Sequence, residues 1–357
     1  MDSRHLNAEH TGSRFVAILA AMCVILLGAC ELEAATTPPQ TASTGAAILD
    51  RMNHYRALEH LDPVRLNEGD SQAAAAHARY IVENKLGPGD FSLVGNQVKH
   101  QLASSVHEEQ VGNRWYSING ASVVARCDVF TASAISSQVA TWIDRLMTSP
   151  LSVLVILEPT LVTVGYGDYC ANGSCAGVVV YDYDQSQQEL NRSFKRTAAN
   201  YNYDPYDPDR GLGDSARMYL RSPILFPPPA SAFLLGSYDG GREYDNPIAP
   251  CAGYRVPTGL PIVLSLGESM NDAAGVKLDS YSLMDGDQLL ETCAYDASSY
   301  TNPDERVQEI GRRMLAKKLA AVLIPRAPLK PGRTYTVAIA VDSTTYRWSF
   351  KIGQPPR

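Results

Sequence analysis

The stretch from Val139 to Gly167, VATWIDRLMTSPLSVLVILEPTLVTVGYG, constrains the fold most. Trp142, Ile143, Leu146 and Met147 recur at helical spacing, so a helix here must lay one apolar face on a core. Ser149-Pro150 interrupts that helix, because proline lacks an N–H and restricts the residue before it. Val153 to Leu157 is too apolar to stay in water, and a strand should follow, ending at Gly165-Tyr166-Gly167. The two glycines permit a close approach that a side chain would block.

Upstream, Gly45 to Arg56 predicts a helix with Ile48, Leu49, Met52, Tyr55 and Leu58 on one side, broken at Leu61-Asp62-Pro63. Asp70 or Ser71 can cap a second, alanine-rich helix from Gln72 to Asn84. Phe91 to Val106 is ambiguous, and His107 to Asn119 is a polar loop carrying aromatics. Ala121 to Val129 fits either helix or strand. Gly177 to Tyr183 reads as a strand that forms a hairpin with Thr160 to Val164. Helices first and a hairpin late imply an α-β-α layered domain.

Gln185 to Arg221 is a polar linker dominated by turn residues. Its Asp204, Asp207, Asp209 and Asp214 have the composition of a calcium loop, but Asp-Pro turns explain it equally well. From Phe226 the pattern changes to short alternating runs: Ile262–Leu266, Val276–Leu283, Ala320–Ile324, Tyr335–Val341 and Arg347–Ile352. Asp304 to Lys318 reads as a helix. The class is therefore α+β, with a C-terminal β-sandwich. The 357 residues and net charge of −7 allow about two domains and argue against a nucleic-acid partner.

Arg4 and Arg14 precede an apolar run from Phe15 to Leu27, too short to span a bilayer comfortably. The run ends Leu27-Gly28-Ala29-Cys30, which resembles a bacterial lipoprotein signal. That resemblance implies cleavage before Cys30 and acylation of its thiol. Glu31, rather than Asp, implies the outer membrane. The expected divisions are a signal at 1–29, a flexible tether at 30–46, a first domain at 47–184, a linker at 185–224 and a sandwich at 225–355. An oxidising compartment suits the cysteines. Cys170 and Cys175 flank a four-residue turn, Cys251 and Cys293 can pair, and Cys127 is left over as a buried small hydrophobe.

The first domain resembles the CAP superfamily (cysteine-rich secretory, antigen 5, pathogenesis-related; SCP). Asn53-His54-Tyr55-Arg56, Leu61-Asp62-Pro63, Leu66-Asn67 and Ala74 to Tyr80 carry the first part of the resemblance. Trp142, Ser149-Pro150, Ile156 to Pro159, Val164 to Gly167 and Gly177 to Tyr183 carry the second. Pro328 to Val337 resembles the strand entry of bacterial Ig-like modules, with Trp348-Ser349-Phe350 on the last strand.

Many CAP domains hold two histidines and two acidic residues in a cleft able to bind a divalent metal. Residue by residue, the resemblance places the first histidine at His107, while the second falls on Ser152. The carboxylate positions read Ala121 and Arg145. One surviving ligand cannot hold zinc, which needs three or four, so no metal or other cofactor is expected. His107 should serve its own loop, and His77 should be a satisfied core histidine.

The leading expectation is a cell-envelope lipoprotein, anchored in the membrane through Cys30, that binds a lipid, glycan or protein without catalysis. Its cleft would be lined by His107, Glu109, Trp115, Tyr116 and Ser152. One alternative is an envelope hydrolase using His107 with Glu108 or Glu109, or with Ser152. Another is a structural or adhesive surface protein.

Overall fold

The computed structural model describes residues 40–86, 106–133, 139–182, 223–240, 246–267 and 275–354. The chain divides into two compact units, Met1–Ala42 and Ser43–Arg357. Of the first, only the opening of helix α1 is described. Cys30, the signal stretch, residues 185–222 of the linker with their aspartates, and Phe91 to Ser105 lie outside the described residues.

Helix α1 spans Gln40–Leu58. It begins five residues before the expected start, inside the stretch read as a tether. Pro38-Pro39 stands just before it, and proline suits the entry of a helix but not its interior. Ile48, Met52 and Tyr55 are buried, with Leu49 and Leu58 packed beside them. At its end, Arg56 is fully buried and donates to the carbonyls of Asp62, Ile156, Glu158 and Leu161 at 2.7–3.1 Å. Asn53 exchanges two hydrogen bonds with the Val64 backbone. The Asn-His-Tyr-Arg run thus fastens α1 to two turns.

Helix α2 spans Glu68–Glu83. Its cap is Asn67, whose side chain accepts from the Asp70 N–H at 2.9 Å, and not Asp70 or Ser71. Asp70 sits in the first turn, where the helix dipole favours a carboxylate, and pairs with Arg126 at 2.7 Å.

Four strands form one sheet: β1 Arg65–Leu66, β2 Cys127–Ala132, β3 Thr163–Ala171 and β4 Ser174–Tyr181, in the order β1-β3-β4-β2. Ala121 to Val129, open between helix and strand, resolves into the one-turn helix α3 (Ile118–Ala121), a 3-10 turn at Val124–Arg126 and β2. Alternation along β4 sorts the two faces. Ala176, Val178 and Val180 meet α2, while Val179 and Tyr181 join the core of α1 and the 139–167 stretch. Helices therefore cover both faces of this sheet.

The expected helix is α4, Val139–Leu146, and the buried apolar segment after the Ser149-Pro150 break is a second helix, α5 Pro150–Ile156. Pro150 does not merely stop the first. It occupies the first position of the second, where its missing N–H has no intrahelical partner to lose. The strand runs past Gly167 to Ala171. A Cβ on Gly165 would lie 2.5 Å from Asp70 Cβ, and one on Gly167 only 2.1 Å from the Ala75 nitrogen. Bare backbone at both places lets α2 settle onto β3. Asn172 (φ 51°) and Gly173 (φ 74°) make the left-handed hairpin turn, with Cys170 bonded to Cys175 directly opposite.

The C-terminal half holds two larger sheets. In one, β11 Gln288–Leu289, β10 Leu278–Asp285, β14 Thr334–Val341, β15 Thr344–Ile352 and β6 Ala232–Phe233 lie side by side, the β15–β6 pair being parallel. In the other, the order is β12 Thr292–Tyr295, β13 Ala320–Pro325, β9 Ile262–Ser265 and β5 Ile224–Phe226. A short pair, β7 Ser237–Tyr238 with β8 Thr258–Gly259, stands apart. Cys251 is bonded to Cys293, one of the pairings left open, and Cys127 is free and buried.

Helix α6, Glu305–Lys317, links β12 to β13 and is capped by Asp304. Strands β9 and β13 are buried at every position. They meet the first large sheet on one side, and α5 and α6 touch them as well. One apolar core thus runs from Ile48 through Trp142 and Phe233 to Val337. Tyr55 and Phe233 pack ring to ring across it, 5.5 Å apart. The architecture is α+β.

Candidate functional site

The 106–121 segment is built on α2. His77, fully buried on that helix, has Nδ1 2.9 Å from Glu109 Oε1 and Nε2 2.7 Å from the Val106 carbonyl. Glu109 is equally sealed, and its other oxygen accepts from the Ser117 N–H at 3.0 Å. A Cβ at Gly120 would lie 2.1 Å from Glu109 Oε1, so only glycine leaves room for the carboxylate. One turn along α2, the Tyr80 hydroxyl accepts from the Gln110 N–H and from Asn113 Nδ2, both at 2.9 Å. Asn84, at the helix end, donates to the Arg114 carbonyl at 2.7 Å.

These bonds tie the backbone of the loop to α2. Trp115 has φ 65°, a left-handed backbone that costs a bulky residue about 1–2 kcal/mol. The Arg79 guanidinium stacks 3.3 Å over its ring, with Arg114 at 5.3 Å. Val111 is 82% exposed, Ile118 80% and Trp115 36%. Three of the large exposed apolar side chains thus fall within eight residues of a single loop, while the others are scattered.

The groups considered for chemistry are engaged separately. His107 is half-buried and bonded to the Val124 backbone. Burial, followed by neighbouring His77, pushes its imidazole down to about 4. Glu108 pairs with Arg306 of α6 at 3.3 Å, and Glu109 is taken by His77. Ser152, on α5, bonds the Asp128 carboxyl, which also accepts from the Tyr181 hydroxyl at 2.7 Å. Burial raises Asp128 above the usual carboxylate range. Asp144 accepts from Tyr55 and Arg51, and Glu158 from Lys318. Tyr116 is half-buried beside Trp115, and Arg145 is exposed.

Two depressions among the described residues lie elsewhere. One is at Val153, Leu157, Pro159 and Ile224, the other along the polar face of α6. Neither is lined by His107, Glu109 or Ser152. Among the described residues, no group of three His, Cys, Asp or Glu side chains is placed to hold a metal ion.

Sequence reasoning named His107, Glu109, Trp115 and Tyr116, which do share this segment. It missed Arg79, Arg114, Val111 and Ile118, and it missed that Glu109 belongs to His77. The adjacent Arg114-Trp115-Tyr116 was the available signal, since basic and aromatic neighbours on a loop suit contact surfaces.

No family model matches the chain, and no curated protein matches it. Among solved structures, it aligns with the S-layer protein rSbsC at 12% identity and a TM-score of 0.20. Domains 1–6 of the surface layer protein SbsC align at 11% identity with the same TM-score. Each alignment covers 97% of this chain and 38% of the other, so the chain spans well under half of those proteins. At that TM-score the alignments carry no argument about fold.

Proposed function

We propose that this chain is a cell-envelope lipoprotein whose CAP-like half is a non-enzymatic recognition module, fused to an Ig-like sandwich. The observation that carries the reading is the 106–121 loop: exposed Val111, Trp115 and Ile118 stand on a base fixed by buried His77 and Glu109. A fixed loop with apolar and cationic side chains is suited to binding, because little side-chain and loop order remains to be lost.

The CAP reading is supported by helices on both faces of the first sheet and by motif residues that act as fasteners, Asn53 and Arg56 among them. The Ig-like reading is supported by two sheets sharing one interior and by the parallel β15–β6 pair. The two disulfides fit an extracytoplasmic address, and anchoring at Cys30 rests on the lipoprotein-like signal. Hydrolysis is the weaker reading, since Ser152, Glu108 and Glu109 each serve a different partner.

A structural role has one observation in its favour. Helix α6 touches α5, and Lys318 just after it pairs with Glu158, while Arg306 near its start pairs with Glu108. The C-terminal half therefore braces the region where a CAP cleft would open.

The test is native mass spectrometry of the chain extracted from bacterial envelopes, with Cys30→Ser alongside. The expected result is a diacyl or triacyl mass increment that Cys30→Ser lacks, and no stoichiometric zinc. An unmodified Cys30, or one zinc held through buffer exchange, would overturn the respective part.

A further inference from the structure

We propose that the Val111–Ile118 loop is a bilayer-contacting surface, docking on anionic phospholipid beside the Cys30 anchor. This deepens the reading above and rests on it for the anchor.

The loop has the composition of an interfacial contact. Val111 and Ile118 are aliphatic and almost fully exposed, as membrane-inserting residues must be. Trp115 is half-exposed, and tryptophan prefers the headgroup level. Arg79 and Arg114 stack on Trp115, at the depth where phosphates would lie. The loop's own carboxylates do not oppose them. Glu109 is sealed against His77, and Glu108 is paired with Arg306. Glu83, next to Arg79 on α2, accepts from the Tyr169 hydroxyl at 2.7 Å.

Thr44, at the start of the second unit, bonds the Asp168 side chain. The next residue, Tyr169, lies under Arg79 at 5.5 Å, and Arg79 covers Trp115. Thr44 of α1 and Arg79 of α2 therefore lie over consecutive residues of strand β3, on opposite faces of the sheet. Cys30 precedes Thr44 by so few residues that an acylated Cys30 keeps the bilayer within roughly 40 Å of Thr44. A tethered surface gains a high effective concentration, so a loop too weak to bind alone can dock.

The test uses tryptophan emission, because Trp142 and Trp348 are buried and Trp115 is exposed. The full chain is placed with vesicles of brominated phosphatidylglycerol or brominated phosphatidylcholine, and Trp115→Phe isolates the contribution of Trp115. The expected result is Trp115 quenching severalfold stronger in phosphatidylglycerol. Arg114→Ala should weaken it by about fivefold, as the loss of one cation near an anionic surface implies. Val111→Asp with Ile118→Asp should abolish it.

Quenching equal in both lipids, or unchanged by these surface substitutions, would overturn the inference. The anchor is read separately, by recovery of the parent chain and of Cys30→Ser in the cell membrane fraction. If the parent is anchored but Trp115 is unquenched, the envelope reading stands and the inference falls. If the parent is not anchored but Trp115 is quenched, the lipid contact of the loop stands, while its place beside an anchor falls with the envelope reading.

Discussion

Glu109 and His77 meet at 2.9 Å with both side chains sealed from water, although 32 residues separate them. This contact joins the candidate loop to the core. Removing one partner strands the other without its bond. Glu109→Ala should therefore cost about 3 kcal/mol of stability. Denaturant unfolding measures that cost. Hydrogen exchange should show faster amides from Glu109 to Gly120, where the Ser117 N–H also loses its acceptor. Exchange confined to the native rate would mean that the pair does not hold the loop.

Lys318 and Glu158 form another long-range pair, with both residues buried. Lys318→Met leaves a buried carboxylate and should cost about 3–5 kcal/mol. Lys318→Met with Glu158→Gln should recover part of that, since the amide can still accept from Thr160. A double-mutant cycle on unfolding free energies reads the coupling. Additive losses would show that the two halves are not joined through this pair.

Glu59 gives a pH signature. Burial at the end of α1, only partly offset by the Leu225 backbone hydrogen bond, raises its carboxyl from 4.5 to about 8. Between those values the folded chain holds a proton that the unfolded chain has lost. Stability from this group therefore falls as pH rises from about 4.5 to 8, by up to a few kcal/mol. Glu59→Gln should raise the melting temperature at pH 8.5 and change it little at pH 5. An equal shift at both would remove the titration from the account.

The two disulfides should differ in weight. Cys251 and Cys293 close a loop of 42 residues, whereas Cys170 and Cys175 are only 5 apart on one hairpin. Chain entropy gives about 4 kcal/mol for the longer loop and about 2 for the shorter. The hairpin ladder already closes the shorter one, so its loss should be milder still. Melting of Cys251→Ala/Cys293→Ala against Cys170→Ala/Cys175→Ala checks the order, and the reverse order would refute it.

Much of the fold was legible because its signals are local. Alternation revealed β14 and β15, helical spacing revealed α1 and α6, and the short span between Cys170 and Cys175 made a hairpin bridge possible, while the Cys251–Cys293 pairing was left open. Other features depend on distant partners. Asp70 looked like a cap because its partner, Arg126, is 56 residues away. Pro150 looked like a stop, since the same residue can end one helix or begin the next. At the site, His107, Trp115 and Tyr116 were visible as a polar-aromatic run. Arg79 was not, because it reaches Trp115 only when α2 and the loop pack together.

His107 separates a histidine that serves its own fold from one that serves chemistry. Its imidazole is pushed down to about 4 from an ordinary 6.5. Between those values the unfolded chain binds the extra proton. Stability from this group is therefore present above about 6.5 and is lost as pH falls through 4. The measurement is nitrogen NMR of the whole chain labelled at histidine, across pH and with added zinc. His107 is expected to stay neutral until about pH 4 and not to respond to zinc. A midpoint between about 6 and 7 that moves when zinc is added would contradict it, because an open, ligating histidine titrates near its ordinary value.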